Sequence, residues 1–303
     1  MKTILGYVLD YWRSVDKRIL FITSFFLGIG IFINYYNNIN HKVGRLGNWQ
    51  QYLFWYLVFL TAFSFPYFLY AIFRKHPVFR RNDFLFLLFL APLLFSWKMV
   101  YDIDLKWSDS TVNNSFLNAV IYWPFKLAVI SIALLIIWKL GREKQPFYGI
   151  STKNFSATPY LLMLLIMIPL IAAASTQHDF LAMYPKLKNL SYLKSMPNNG
   201  LFKILFELSY GSDFITIELF FRGFLVLAFC KWFGKDAILP MAVFYCTIHF
   251  GKPVGECISS FFGGLILGVV VYHTRTILGG LIVHLGIAWM MELGGYLGNI
   301  LWG

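Results

Sequence analysis

Nine long segments with almost no charged side chains run through this chain, and they restrict its fold more than any other feature. Hydrophobic residues make up 58% of the 303 residues and charged residues only 13%, a balance that is unusual for water-soluble domains. Most segments are close to the length of about 20 residues with which a helix crosses a bilayer. They lie at 19–36, 51–73, 83–101, 117–139, 157–175, 205–230, 236–250, 254–273 and 276–293. The chain is therefore predicted to be all-α, a polytopic transmembrane helical bundle of about eight or nine helices.

The seventh segment, 236–250, leaves the number of crossings open between eight and nine. It is short for a full crossing of the hydrocarbon core. Irregular or short elements are tolerated at membrane depth only where protein or a water-filled cavity covers their backbone. We expect this segment to be tilted or partly re-entrant beside a cavity.

Basic residues alternate between loops and form no single patch, although the formal net charge is +12. Cytoplasmic loops of membrane proteins carry the excess of Lys and Arg. We therefore expect a cytoplasmic N-terminus, and a protein in contact with the lipid bilayer and not with nucleic acid. The expected location is the bacterial cytoplasmic membrane. The loop at 176–203, with Lys186, Lys188 and Lys194, departs from this alternation. The richer loops contain Lys2, Arg13, Lys17, Arg18, Arg74, Lys75, Arg80, Arg81, Lys139, Arg142, Lys144 and Lys153.

Several features are expected to have structural roles only. Residues 1–18 lack an apolar core followed by a cleavage site, so the first segment is expected to be a retained anchor and not a signal peptide. Lys126, inside an apolar segment, is expected to snorkel or to face a neighbouring helix. Cys230, Cys246 and Cys257 have the spacing of neither a disulfide framework nor a zinc motif, and we expect small packing residues.

Polar residues enter the apolar segments mainly after Lys203, and this contrast suggests a division of the chain. Residues 1–156 are predicted to be accessory transmembrane helices, and residues 157–303 a membrane core. Ionisable residues within membrane segments are costly, so they indicate mutual pairing, a cavity or a function. Those of the core are Glu207, Asp213, Glu218, Arg222, His249, Glu256, His284 and Glu292.

Glu218 and Arg222 lie four positions apart in what should be a helix, and they therefore share one face. An arginine in that position can hold a carboxylate ionised and oriented, as a catalytic base requires. A structural ion pair between helices explains the same spacing.

Two histidines lie on the segments that follow. His249 precedes a helix end broken by Gly251 and Pro253, and His284 lies within an apolar helix above small residues. A carboxylate and an imidazole can share a water, remove its proton and direct it at a peptide carbonyl. The second imidazole can stabilise the developing oxyanion. A single histidine on an apolar face is more often a packing residue, but two of them after Glu218 favour a catalytic interpretation.

These residues resemble three motifs of the CPBP family, which comprises CAAX prenyl proteases and bacteriocin-processing (Abi) membrane proteases. The resemblance covers about residues 205–293. Glu218-Leu-Phe-Phe-Arg222 is similar to the first motif from its second glutamate onward, and His249 and His284 correspond to the histidines of the second and third motifs.

The chain departs from the family at three motif positions. Ile217 stands where the family has its first glutamate, usually the principal catalytic carboxylate. Tyr245 replaces the phenylalanine of the second motif, and Ala288 replaces the Asn or Asp of the third. Another carboxylate is therefore a candidate to compensate, either Glu256 or Glu292, although Glu256 also suits a helix start.

The resemblance implies a CPBP-type intramembrane endopeptidase that cleaves a membrane-associated peptide or protein near the cytoplasmic leaflet. In this interpretation Glu218 is the base, Arg222 orients it, His249 helps to activate water, and His284 stabilises the oxyanion. Two alternatives stay open: an inactive membrane scaffold or protective factor that binds a partner helix, and a small-solute transporter. No cofactor is required by the sequence, and a divalent metal such as zinc is compatible with Glu218, His249, His284 and a further carboxylate.

Overall fold

The computed structural model describes residues 2–141, 145–153, 155–189 and 199–302. Of the predicted basic loop residues, Arg142, Lys144 and Lys194 lie outside these ranges. The structure is 83% helical, and no strand occurs within the described ranges. The all-α prediction is confirmed.

The helices of the first half of the chain coincide with the first four apolar segments, and two short helices lie outside them. A 3₁₀ turn follows the fourth helix at Pro77–Arg80. The α-helices are α1 Lys2–Ser14, α2 Lys17–Tyr36, α3 Ile39–Val43, α4 Asn48–Phe73, α5 Asn82–Val100 and α6 Thr111–Leu140.

The second half contains the remaining five predicted segments, and one of them is only partly α-helical. A π-helix, Glu218–Ala228, directly continues α9, and 3₁₀ turns occur at Phe147–Gly149, Lys186–Asn189 and Gly234–Ala237. The α-helices are α7 Thr158–Ala174, α8 His178–Met183, α9 Asn199–Ile217, α10 Cys230–Phe233, α11 Ile238–Thr247, α12 Val254–Thr274 and α13 Leu278–Leu301.

Six helices of the described chain are long and apolar enough to cross a membrane, namely α2, α4, α5, α6, α12 and α13. α7 is a shorter apolar helix of 17 residues. α11 has only 10 residues, so the seventh segment is as short as the sequence indicated. The protein is an integral, multi-pass membrane protein with a polytopic helical bundle.

Two compact units make up the chain, and both are discontinuous. The first contains residues 1–101, 143–150 and 221–276, and the second contains residues 102–142, 151–220 and 277–303. The predicted division at residue 156 concerns accessory and core roles, and it stays a prediction.

Aromatic rings form the core of the first unit. Phe244 of α11 contacts Phe59 of α4, with ring centroids 4.9 Å apart. Phe63 meets Phe229 at 5.1 Å, and both of these phenylalanines have no exposed surface. Such edge and offset contacts stabilise the packing beyond the burial of apolar area. They position α11 against α4.

The end of this unit at which α2 begins is held by charged residues. Asp16 caps α2 by accepting hydrogen bonds from the backbone amides of Arg18 and Ile19, at 3.0 and 3.4 Å. Arg74, which ends α4, pairs with both Asp16 and Asp236. Burial acts to raise the pKa of Asp16, but the hydrogen bonds from Arg18 and Ile19 outweigh it and lower that pKa below its usual value.

Small residues on α13 allow close helix packing in the second unit. A Cβ atom on Gly279 would lie only 2.0 Å from Cζ of Tyr160, and one on Gly286 would lie 2.7 Å from Leu164 of α7. Glycine is therefore required where α7 and α13 meet, as at other membrane helix interfaces. This packing sets which face of α13 lies against α7.

Lys126 is buried in the second unit, with 1% of its surface exposed. Its Nζ lies 3.5 Å from the centroid of the Tyr122 ring, one turn earlier in α6. The aromatic face offers partial compensation for a buried cation. The lysine therefore does not reach water by snorkelling.

Candidate active site

The first motif lies at a change of helix type. Glu218 is the first residue of the π-helix, and Arg222 lies within it. π-Helices are rare, hydrogen-bond from residue i to i+5, and occur frequently at functional sites. Both side chains have no exposed surface. The sequence predicted a helix here but not its type.

Glu218 and His284 form a direct pair within the second unit. Nδ1 of His284 lies 3.0 Å from Oε1 of Glu218. Phe214 covers the imidazole edge-on, with ring centroids 4.8 Å apart. Gly280, one turn before His284, gives the carboxylate its space, because a Cβ there would lie 2.3 Å from Oε2 of Glu218. The sequence placed small residues beneath His284 but gave no sign of this contact.

Arg222, Tyr245 and His249 are joined within the first unit. The Arg222 guanidinium carbon lies 4.1 Å from the centroid of the Tyr245 ring, at cation–π distance. The Tyr245 and His249 rings are 4.8 Å apart. Nδ1 of His249 is 2.9 Å from the carbonyl oxygen of Tyr245, one turn earlier. The aromatic ring makes these contacts, so tyrosine can replace the family's phenylalanine without losing them.

The turn that carries His249 is held by the C-terminal end of α2. Nδ2 of Asn34 donates to the carbonyl oxygen of Phe250 at 2.8 Å, and the Tyr35 hydroxyl donates to that of Lys252 at 2.6 Å. Gly251 lies against Asn40, where a Cβ would approach the amide to 2.8 Å. Sequence reasoning missed this support, because it comes from residues more than 200 positions earlier.

This arrangement restricts where His249 lies in the membrane. α2 begins at Lys17, and His249 lies beside its other end, because the hydroxyl of Tyr35 is also 3.4 Å from the His249 carbonyl oxygen. A helix of 20 residues is about 30 Å long and crosses the hydrocarbon core. His249 therefore lies near the end of α2 that is opposite Lys17.

The two auxiliary carboxylates have structural partners. Glu256, in the first turn of α12, pairs with Lys252 at 3.3 Å. Glu292 is buried in α13 and accepts hydrogen bonds from the backbone amide of Lys186 at 2.7 and 3.0 Å. Glu256 thus suits the helix-start interpretation, and Glu292 holds the start of the 3₁₀ turn at Lys186–Asn189.

Both of the other departures from the family motifs are buried. Ile217 is 6% exposed and Ala288 is 4% exposed. Ala288 belongs to an apolar cluster with Phe206, Tyr210 and Phe214. A polar third-motif side chain would be surrounded there by aromatic rings, which would make it costly to bury.

Metal binding has no preformed donor set in the part of the chain that the structure describes. No three His, Cys, Asp or Glu side chains gather there in a way that could hold a metal ion. Structural and catalytic zinc sites use at least three protein ligands. The divalent metal that the sequence allows stays a prediction.

Comparison with known proteins relates the segment that contains these residues to a family of membrane proteases. Residues 202–290 match the family model described as type II CAAX prenyl endopeptidase, Rce1-like. The match confirms the predicted resemblance to CPBP-family intramembrane proteases. It supports a CAAX-type intramembrane endopeptidase as the general class. No curated protein and no solved structure matches the chain.

Proposed function

We propose, with the Rce1-like segment at 202–290 as the premise, that the protein hydrolyses a peptide bond in a membrane-associated peptide or protein. The pairing of Glu218 with His284 at 3.0 Å is the observation that carries this proposal. A carboxylate that orients an imidazole is a recurrent arrangement for activating a nucleophile. The nucleophile proposed here is water.

The exposure of the two side chains supports a division of roles between them. The Glu218 side chain is 0% exposed, whereas that of His284 is 14% exposed. In this proposal Glu218 is the hydrogen-bond acceptor, Nδ1 of His284 is the donor, and Nε2 is left as the acceptor for water. We therefore assign the base to Nε2 of His284, and Glu218 to orienting the ring and stabilising the imidazolium. The sequence interpretation had given the base to Glu218.

The proposed reaction uses this pair in two proton transfers. Water attacks the carbonyl carbon while its proton passes to Nε2 of His284. The new Nε2–H can donate to the oxyanion and then deliver the proton to the leaving nitrogen, which restores the neutral ring. The oxyanion role expected for His284 is thereby retained at a later step.

His249 is proposed as a second contributor because of its correspondence to the second motif. A carbonyl oxygen only accepts, so the contact with Tyr245 places the proton of His249 on Nδ1. Nε2 is then an acceptor in the neutral ring, which suits a role in activating water. Arg222 is proposed as a positioning residue that acts through the ring of Tyr245.

The membrane orientation that we propose has a cytoplasmic N-terminus. At the end where α2 begins, Lys17 and Arg18 lie beside Arg74, which is joined to Asp16. The excess of basic residues is expected on the cytoplasmic side. His249 is then on the opposite side of the membrane, and this proposal replaces the expected cleavage near the cytoplasmic leaflet.

Terminal proteomics of membranes is the direct test. Membranes that contain the wild type, Glu218→Gln or His284→Ala would be compared for new protein termini. We expect the same termini to be lost in both variants, with rates reduced by about 10²–10⁴-fold. Glu207→Gln, which changes another carboxylate in the helix preceding Glu218, is the matched control and should retain the termini. Wild-type termini in a folded Glu218→Gln variant would refute the proposal.

A membrane scaffold that binds a partner helix is the second candidate. The burial of Ala288 in an apolar cluster, where the family has Asn or Asp, favours it. Under this alternative no termini depend on His284, while a partner protein is retained by both the wild type and Glu218→Gln. Affinity purification of the two proteins from the same membranes separates the alternatives.

A further inference from the structure

Cys246 and Cys257 lie side by side in the interior of the first unit. Cys246 is in the last turn of α11, and Cys257 follows in the first turn of α12. Both side chains have no exposed surface. Their Sγ atoms are 3.9 Å apart. The sequence interpretation of small, buried packing residues accounts for their burial but not for this proximity.

Each thiol also contacts the backbone carbonyl oxygen of the other cysteine. Sγ of Cys246 lies 3.2 Å from the carbonyl oxygen of Cys257, and Sγ of Cys257 lies 3.8 Å from that of Cys246. A disulfide has a sulfur–sulfur bond of about 2.05 Å. The sulfur atoms are already in van der Waals contact at 3.9 Å, so an approach of about 1.9 Å brings them to bonding distance. We propose that Cys246 and Cys257 are a modification site, a dithiol that closes to an intramolecular disulfide.

The position of the pair in the membrane favours oxidation. The residues between the two cysteines include Phe250 and Lys252, which are bonded to the C-terminal end of α2. With the N-terminus in the cytoplasm, as proposed above, this end of α2 lies on the opposite side. Disulfides persist on that side and are rare in the reducing cytosol.

The oxidant in this proposal is a lipid-soluble quinone, because Cys257 lies in α12, which is long and apolar enough to span the membrane. The two S–H bonds break and one S–S bond forms. The quinone takes up the two electrons and two protons and leaves as the hydroquinone.

The bridge would join the two ends of the turn that carries His249. The backbone amide of His249 donates to the carbonyl oxygen of Cys246 at 3.0 Å, so one of the two bridged cysteines is hydrogen-bonded to His249. Cross-linking restricts the unfolded chain. The oxidised protein is therefore expected to unfold at a higher temperature than the reduced protein, and this expectation does not depend on peptidase activity.

Thiol counting and peptide mapping test the proposal on the full-length protein in membranes. The protein would be treated with a short-chain quinone, denatured in maleimide and digested without reductant. We expect the number of reactive thiols to fall from three to one, and a peptide pair linked through Cys246 and Cys257. Cys230→Ser, the control, should still form the bridge, whereas Cys246→Ser and Cys257→Ser should not.

Two results would overturn the proposal. The first is three reactive thiols after treatment with quinone and also after copper–phenanthroline oxidation. The second is a bridge that contains Cys230. Both are measured on the wild-type chain, so the conclusion holds even if a serine variant fails to fold.

Discussion

Replacing Gly280 with alanine should displace the Glu218 carboxylate from His284 without removing either group. A Cβ at this position would lie 2.3 Å from Oε2 of Glu218, whereas contacts below 3.0 Å essentially never occur and those of 3.4 Å are ordinary. The carboxylate must therefore move by about 0.7–1.1 Å. Glu218 has no exposed surface, so it cannot turn out into solvent.

A misplacement of about 1 Å in a catalytic group can cost about 100-fold in rate. We expect kcat/KM of Gly280→Ala to fall by about that factor, which corresponds to about 2.7 kcal/mol of transition-state stabilisation. The assay is cleavage of a peptide that contains the junction identified by terminal proteomics. Alanine also favours helix over glycine by about 1 kcal/mol, which offsets the cost of displacing the carboxylate. The thermal midpoint of the variant should therefore stay close to that of the wild type.

Two comparisons show whether the effect passes through Glu218. Gly263→Ala makes the same change in α12, where an added Cβ has nothing within 4 Å, and it should keep full activity. In a Glu218→Gln background, Gly280→Ala should add little further loss, because the coupled contact is already altered. A folded Gly280→Ala variant with kcat/KM within about twofold of the wild type would contradict this role of Gly280, since a loss of about 100-fold is expected.

Gly223→Ala should lower the free energy of unfolding by about 1–3 kcal/mol, because its Cβ would lie 2.6 Å from the carbonyl oxygen and 2.9 Å from the Cβ of Tyr148. Thermal unfolding in detergent measures this, and an unchanged midpoint would contradict it. Arg74→Met should cost about 1 kcal/mol by removing the ion pairs with Asp16 and Asp236, an effect that added salt should reduce. The stability contributed by Asp16, whose pKa is lowered, is present above about pH 4 and lost as the pH falls. The difference in thermal midpoint between the wild type and Asp16→Asn should therefore shrink as the pH falls below about 4.

Local composition was sufficient to predict the membrane helices. Each of the nine apolar segments contains a helix, because hydrocarbon leaves the backbone no partner outside its own hydrogen bonds. The short length of segment 236–250 was visible for the same reason. Short helices outside the segments, such as α1, α3 and α8, were not predicted, since no apolar run marks them.

The π-helix at 218–228 could not be predicted from spacing. Glu218 and Arg222 share a face under an α-helical pattern, and the sequence offers no signal that hydrogen bonding passes to i+5. Tyr148 packs against Gly223 of the π-helix. This contact is long-range, and it comes from a loop that the sequence analysis did not connect with the site.

A polytopic helical membrane protein could be predicted from the amino-acid sequence alone, and its motifs indicated Glu218, Arg222, His249 and His284 as site residues. Both conclusions rest on features that are local in the chain, namely segment length and residue spacing. The fold was needed to show that Glu218 contacts Nδ1 of His284, 66 positions away, and that the Tyr245 ring contacts both Arg222 and His249. These pairings depend on which helix faces meet. Helix packing sets those faces, through contacts such as that of Gly280 with Glu218.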